Sequence, residues 1–251
     1  MKAMRSEKNG PKQGKRKSCR GISLSFLRLC AFFLTCVMIP ALMVMPAEAA
    51  TRLSTPSNCR FVKWQSKTMT YAEVGWNSVS KANAYQAVIS WADNTNKKYF
   101  NTSDTSITFT GLAVNRVYKV RVKALKVNSE GTITLTSPWS SAAYIIPAPP
   151  AKSVAAESIE NHTVRLQWYG VSGSNGYDVY LTTNPRGNWH YSLSTSSAKS
   201  TTVILKKYRS SKFKTYQNYY YRIISKRWVN SRYINSPIPS PSYYAGYFYF
   251  Y

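Results

Sequence analysis

The sequence predicts an all-β chain, two antiparallel β-sandwiches in tandem behind an N-terminal leader, and three observations predict it. From Tyr118 to Ala124 the residues alternate: Tyr118, Val120, Val122 and Ala124 fall on one face, Lys119, Arg121 and Lys123 on the other. That is the two-residue period of a half-buried antiparallel strand. Second, a pattern recurs. Val74-Gly75-Trp76-Asn77-Ser78-Val79 with Ala84-Tyr85-Gln86-Ala87-Val88 returns as Leu166-Gln167-Trp168-Tyr169-Gly170-Val171 with Gly176-Tyr177-Asp178-Val179-Tyr180. Trp76 to Trp168 and Tyr85 to Tyr177 are both 92 positions by subtraction, so strand, turn and strand recur at one spacing. Third, no useful window shows helical periodicity, and short β-rich runs are punctuated by Gly, Asn, Ser and Pro.

The leader comes first. Nine basic residues stand against Glu7 in residues 1–28, followed by an apolar run from Leu29 to Met45 that Thr35 and Pro40 interrupt. The exit, Pro46-Ala47-Glu48-Ala49-Ala50, supplies small residues at Ala47 and Ala49. Basic start, apolar middle and small-residue exit are the parts of a secretory signal peptide, with cleavage expected after Ala49. An uncleaved anchor is the competing reading. The run is at the short end for a span, and its proline and exit favour cleavage. Either way the positive flank places residues after Ala50 outside the membrane. The expected location is therefore secreted or extracellular, with envelope association open and membrane contact only through an uncleaved leader. No lipobox precedes Cys30 or Cys36, and no Leu-Pro-x-Thr-Gly sorting motif stands near the C-terminus.

Of four cysteines, Cys19, Cys30 and Cys36 belong to the leader, so residues 50–251 keep Cys59 alone and can form no internal disulfide. Stability must then come from hydrophobic burial. Cys59 is left either to pair between chains or to act as a small buried residue. The whole chain carries 34 Lys and Arg against 9 Asp and Glu. Without the nine basic and two acidic residues of 1–49, 25 stand against 7, so a charge of about +18 belongs to the exported part.

The repeat continues downstream. Tyr118-Lys119-Val120-Arg121-Val122 matches Tyr219-Tyr220-Tyr221-Arg222-Ile223, and Ser137-Pro138 with Tyr144 matches Ser236-Pro237 with Tyr243. Between the copies, Ile146-Pro147-Ala148-Pro149-Pro150 stiffens the connection and resists helix. The expected organisation is a leader at 1–49, one sandwich at 50–146, a second at 147–244 and an aromatic tail at 245–251. Each copy has the length of a seven-strand sandwich.

Leu112, six positions before Tyr118, resembles the tyrosine corner that enters strand F of fibronectin type III domains, where the phenol hydroxyl bonds back to the upstream backbone. Trp76 and Trp168 fit the family's strand-B core tryptophan, with Tyr85 and Tyr177 beside them on strand C. Residues 171–180, Val-Ser-Gly-Ser-Asn-Gly-Tyr-Asp-Val-Tyr, are similar to bacterial members. The resemblance implies tandem fibronectin type III domains of a secreted bacterial protein, an immunoglobulin-like fold. The second copy departs at the corner: a longer segment follows Val203-Ile204-Leu205, no leucine sits six before Tyr219, and Tyr216, Tyr219, Tyr220 and Tyr221 compete for the position.

For chemistry, residues 50–251 hold seven carboxylates (Glu73, Asp93, Asp104, Glu130, Glu157, Glu160 and Asp178) and two histidines, His162 and His190. Nothing pairs them in acid–base geometry, and no nucleophile elbow, metal-ligand spacing or phosphate loop is visible. A non-catalytic chain without cofactor or metal is expected. The basic loops say more. Lys206-Lys207-Tyr208-Arg209-Ser210-Ser211-Lys212-Phe213-Lys214 packs five cations and two aromatics into the expected E–F connection. Lys226-Arg227-Trp228-Val229-Asn230-Ser231-Arg232-Tyr233 does so in the expected F–G hairpin, and Arg186 and Trp189-His190-Tyr191 lie around C–C′. E–F and C–C′ share one end of a sandwich and F–G lies at the other, so two sites are expected. Cations attract phosphate or carboxylate, and exposed aromatics give sugar rings a face. The candidate contacts are Lys206, Lys207, Arg209, Lys212, Lys214, Lys226, Arg227, Trp228, Arg232 and Trp189. The bland alternative is solvated loops whose aromatics cover core edges. Expected partners are an anionic cell-wall polymer, a glycan or a surface protein; nucleic acid is disfavoured because this sandwich is no dedicated nucleic-acid module. The alternative function is a structural spacer or assembly subunit, contacting another protein through sheet edges and Tyr247–Tyr251.

Overall fold

The computed structural model describes residues 52–151, 154–160, 162–240 and 243–251. The expected leader, with Ala47 and Ala49, lies outside them. The described residues belong to one compact unit, Ala47–Tyr251. They form two β-sandwiches of antiparallel strands.

In the first sandwich, β1 (Arg60–Trp64), β2 (Ala72–Gly75) and β5 (Ser106–Phe109) make one sheet in the order β1-β2-β5. The other runs β4 (Lys98–Thr102), β3 (Ala84–Trp91), β6 (Tyr118–Val127) and β7 (Ile133–Thr136), with β8 (Ala143–Ile145) also on β6. The second sandwich repeats this. β9 (Ala155–Ser158), β10 (Val164–Gln167) and β13 (Thr202–Leu205) form the order β13-β10-β9. β12 (His190–Ser194), β11 (Gly176–Thr182), β14 (Tyr219–Val229) and β15 (Arg232–Asn235) form the other sheet, with β16 (Gly246–Phe248) on β14.

The alternation read on β6 is the burial seen: Val120, Val122 and Ala124 are fully buried while Arg121 is exposed. Within each core the tryptophan meets the strand-C tyrosine edge to face, Trp76 on Tyr85 at 5.5 Å and Trp168 on Tyr177 at 5.3 Å. Both phenol oxygens accept a backbone hydrogen bond six residues upstream. Val79 N–H donates to Tyr85 at 2.9 Å, and Val171 N–H to Tyr177 at 2.7 Å. A buried hydroxyl needs such a partner, which fixes the B–C turn against the core.

Both corners form. Ala113 N–H donates to the Tyr118 hydroxyl at 2.8 Å, and Lys214 N–H to that of Tyr219 at 2.9 Å. The competition in the second copy is settled for Tyr219: Tyr216 is 83 % exposed and Tyr221 lies in the core. The residue six before Tyr219 is Phe213, 3 % exposed, and it fills the place Leu112 fills in the first copy. Phenylalanine serves because the site asks for apolar volume rather than one side-chain shape.

Strand G of the second copy needs correction. Tyr243, matched to Tyr144 of β8 by the repeat, stands outside the sheet together with Tyr244. Gly246–Phe248 pair with Tyr219–Tyr221 as Ala143–Ile145 pair with Tyr118–Val120. Pro239 and Pro241 follow Ser236-Pro237 in sequence, and proline cannot donate to a ladder, so the pairing resumes later. The segment set apart as an aromatic tail is thus largely core. Phe248 and Phe250 are buried, Tyr216 N–H donates to Phe250 C=O at 2.7 Å, and only Tyr247, Tyr249 and Tyr251 face outward.

Cys59 is half-buried beside Ser140, and burial pushes its thiol above the ordinary cysteine range. That lowers its thiolate fraction at neutral pH.

Candidate functional site

The expected basic loops divide on inspection. In 206–214, Tyr208 and Ser211 exchange backbone hydrogen bonds at 2.9 and 3.2 Å, closing a tight turn with Arg209 at φ 57°. Tyr208 packs edge-on against Tyr219 and His190, at 5.4 and 5.6 Å, and Phe213 is core. Both aromatics of the loop therefore face inward. Lys206, Lys207, Arg209, Lys212 and Lys214 remain exposed.

In the F–G hairpin, Lys226 is 7 % exposed, ion-paired with Asp178 at 2.9 Å, its ammonium 4.9 Å over the Tyr233 ring. It is corrected from ligand contact to internal partner, because a desolvated ammonium requires its counter-charge. Arg227 donates to Gly173 C=O and lies 5.1 Å over Tyr144, and it too is occupied. Trp189 is stacked by Arg222 at 4.4 Å. Trp228 and Arg232 stay exposed, Trp228 against Tyr233 at 4.7 Å. The hairpin is tied to the B–C loop: Asn175 N–H donates to Lys226 C=O at 2.7 Å and Trp228 N–H to Asn175 Oδ1 at 2.8 Å. The E–F loop instead meets strand C′, through Tyr208 and His190.

The B–C end of the second sandwich is clamped to the E–F end of the first. Val117 N–H donates to Ser172 C=O at 2.9 Å, and Ser172 N–H to Asn115 C=O at 2.8 Å. Trp64 Nε1–H donates to Pro237 C=O at 2.6 Å. Val117 and Ile146 are buried within the second core, which explains how the proline-rich joint is held. The clamp brings Arg227 beside the first sandwich.

There the structure assembles what the sequence did not nominate. Across the β4-β3-β6 sheet, Val88 pairs with Tyr99 on one side and Arg121 on the other, and Ser90 pairs with Lys119. Val88 and Ser90 are short and form a floor; Lys97 and Tyr99 rise on one side, Lys119 and Arg121 on the other, with Trp139 and Asn94 at the ends. The result is a groove of about 220 Å³. Lys119 Nζ donates to Asn94 Oδ1 at 2.8 Å. Burial first, then the like charges of Arg121, Arg227 and Lys97, hold the Lys119 pKa below the ordinary lysine value. Among the described residues the ion pairs are Lys63–Glu73, Arg165–Glu157 and Lys226–Asp178, and none reaches this groove. The nearby Asp93 carboxylate is turned to Thr95, accepting its N–H at 3.0 Å and its hydroxyl at 2.6 Å.

Two observations decide the fold: the same pairing of a three-strand sheet with a longer one in both copies, and a tyrosine corner entering the sixth strand of each. The fold is that of two fibronectin type III sandwiches in tandem. No family model matches the chain, and no curated protein does. Among solved structures, a two-domain fibronectin type III segment from chicken tenascin is 18% identical, with 72% of this chain and 96% of that one covered and a TM-score of 0.33. The FN1–FN3 domains of chicken CNTN1 are 15% identical over 72% of this chain and 63% of theirs, TM-score 0.29. A structure described as a myokine is 19% identical over 38% of this chain and 96% of its own, TM-score 0.30.

In the first type III sandwich the groove offers converging cations and aromatic rings, and no side chain that lines it is a carboxylate or an imidazole. Its cations can bind an anion. The second sandwich's histidines are engaged in packing, His162 on Phe250 at 5.1 Å and His190 on Tyr208.

Proposed function

We propose that the chain is a non-catalytic binding module of the cell exterior that engages an anionic wall polymer or glycan. The groove of the first sandwich is the contact surface, and the five exposed cations of 206–214 add longer-range attraction. One observation carries this reading: Lys97, Lys119 and Arg121 converge with Tyr99 and Trp139, and among the described residues none of the three is in an ion pair. Gathering like charges costs energy in the free protein, and a bound anion relieves that cost. An exported module meets anionic wall polymers, lipids and glycans first, which favours them over nucleic acid as ligand.

The test is co-sedimentation of the protein with purified bacterial cell walls, with and without their anionic polymers, at low and high salt. Binding is expected at low salt and is expected to fall at least about tenfold near 1 M salt, where the screening length is about 3 Å. Walls stripped of anionic polymer should lose most of the protein. Equal binding to stripped walls, or none at low salt, contradicts the reading.

A further inference from the structure

The two sandwiches are internal controls for one another, because equivalent positions on the same sheet face are put to different use. Val88 corresponds to Tyr180 by the 92-residue offset, and Arg121 to Arg222 through the match of Tyr118 with Tyr219. Trp139, after Ser137-Pro138, corresponds to Ile238, after Ser236-Pro237. In the second sandwich the floor position is a tyrosine. Arg222 lies 5.4 Å over the Tyr180 ring and 4.4 Å over Trp189, so cation and aromatics satisfy one another. The opening beside them is lined by Gly187, Trp189, Arg222, Ile238, Pro239 and Ser240 and holds that single, already stacked cation.

In the first sandwich the same face is less filled: Lys123 Nζ lies 5.2 Å over the Trp139 ring, and Tyr99 lies exposed beside it. Its floor is Val88 and Ser90, and three cations line it without a carboxylate. Tyr99 is 56 % exposed, and its ring stands 6.4 Å from Trp139 at 48°, too tilted for the two rings to cover one another. Exposed aromatic surface beside clustered cations fits a ligand with one apolar ring face and one anionic group.

Resting on the proposed function, we propose that this groove is a subsite for one acidic sugar residue, its ring against Tyr99 and Trp139 and its carboxylate or sulfate on Lys97, Lys119 and Arg121. Among the described residues the first sandwich carries this subsite, and the second has its equivalent closed by the Arg222 stack.

Titration calorimetry with three probes tests this: a hexuronate oligosaccharide, a sulfated oligosaccharide and inorganic polyphosphate, which has charge and no ring. The acidic sugars are expected to bind, and whichever binds more tightly identifies the anionic group. Tyr99→Ala removes an exposed ring from an edge strand. It should weaken acidic-sugar binding at least about tenfold, as a stacked ring contact does, and leave polyphosphate binding unchanged. Tyr99→Phe should restore the sugar affinity. Arg121→Gln should weaken all three probes. Sugar binding indifferent to Tyr99→Ala overturns the subsite, as does an equal loss for polyphosphate. Polyphosphate binding that is sensitive to Arg121→Gln, without any sugar binding, overturns the subsite and spares the broader anionic reading. An oligonucleotide that binds more tightly than either sugar also overturns it. Failure of every polyanion overturns both.

Discussion

Removing Gly246–Tyr251 is expected to unfold the second sandwich while the first remains folded. The deleted residues include β16, paired with Tyr219–Tyr221 in the middle of the larger sheet. Phe248 and Phe250 are 9 % and 7 % exposed, and Phe213 meets both rings, at 5.2 and 5.7 Å. Truncating one buried phenylalanine to alanine costs about 3–5 kcal/mol. Two together approach the roughly 5–15 kcal/mol that stabilises a whole domain. Near-ultraviolet circular dichroism with limited proteolysis would show the loss, with cleavage in the second sandwich and a protected first one. Removing only Tyr251, which is 83 % exposed, should cost under about 0.5 kcal/mol. A truncated chain as stable as the full one would return 246–251 to the role of an accessory tail.

Gly176→Ala should come close to the same outcome by a backbone route. Gly176 sits at φ +144°, and a Cβ there would lie 2.2 Å from Thr195 C=O oxygen and 2.9 Å from its carbon. Both are main-chain atoms, so the strand itself must move. Torsional strain of this kind costs about 1–3 kcal/mol. With the clash added, a loss on the order of 4 kcal/mol is expected, in the range kept for severe substitutions. The equivalent position in the first copy is Ala84, an ordinary strand residue. The reverse change there, Ala84→Gly, should cost about 0.5–1 kcal/mol. Urea unfolding of the two variants gives the comparison, and a Gly176→Ala loss below that of Ala84→Gly would contradict the geometry.

The contrast between those positions shows what the sequence could carry. Trp76, Trp168, Tyr85 and Tyr177 recur at one spacing because each copy builds the same turn over the same core, and the alternation on β6 follows directly from the pleat. The corner of the second copy is hidden in sequence because Phe213 supplies the volume that leucine supplies in the first. Strand G was misplaced because the prolines after Ser236 lengthen the connection, and linear matching to Tyr144 lands on Tyr243. The candidate site was harder to see for a different reason. Lys119, Arg121 and Lys123 were visible as the polar face of one strand, which is the ordinary appearance of a solvated edge. Only the order β4-β3-β6 sets Lys97 and Tyr99 beside them, and only the short side chains of Val88 and Ser90 make the space between. Conversely, Lys226 and Arg227 read as exposed loop cations, while Asp178, 48 residues away, and Gly173, 54 away, hold them internally. Charge density along the chain points to a basic surface; the partners that consume individual charges come from sheet pairing.

On the proposed reading, the open face of the first type III sandwich, and not the 206–214 loop, carries recognition. The most direct test measures affinity for anionic wall polymer in two variants of equal charge change. One replaces Lys97, Lys119 and Arg121 with glutamine, and the other replaces Lys206, Lys207 and Arg209. Each removes three positive charges, so a purely non-specific attraction would weaken equally in both. The groove variant is expected to lose at least about 100-fold, three charged contacts at roughly 1 kcal/mol each, and the loop variant less than about tenfold. Equal losses, or a larger one from the loop, would contradict the claim.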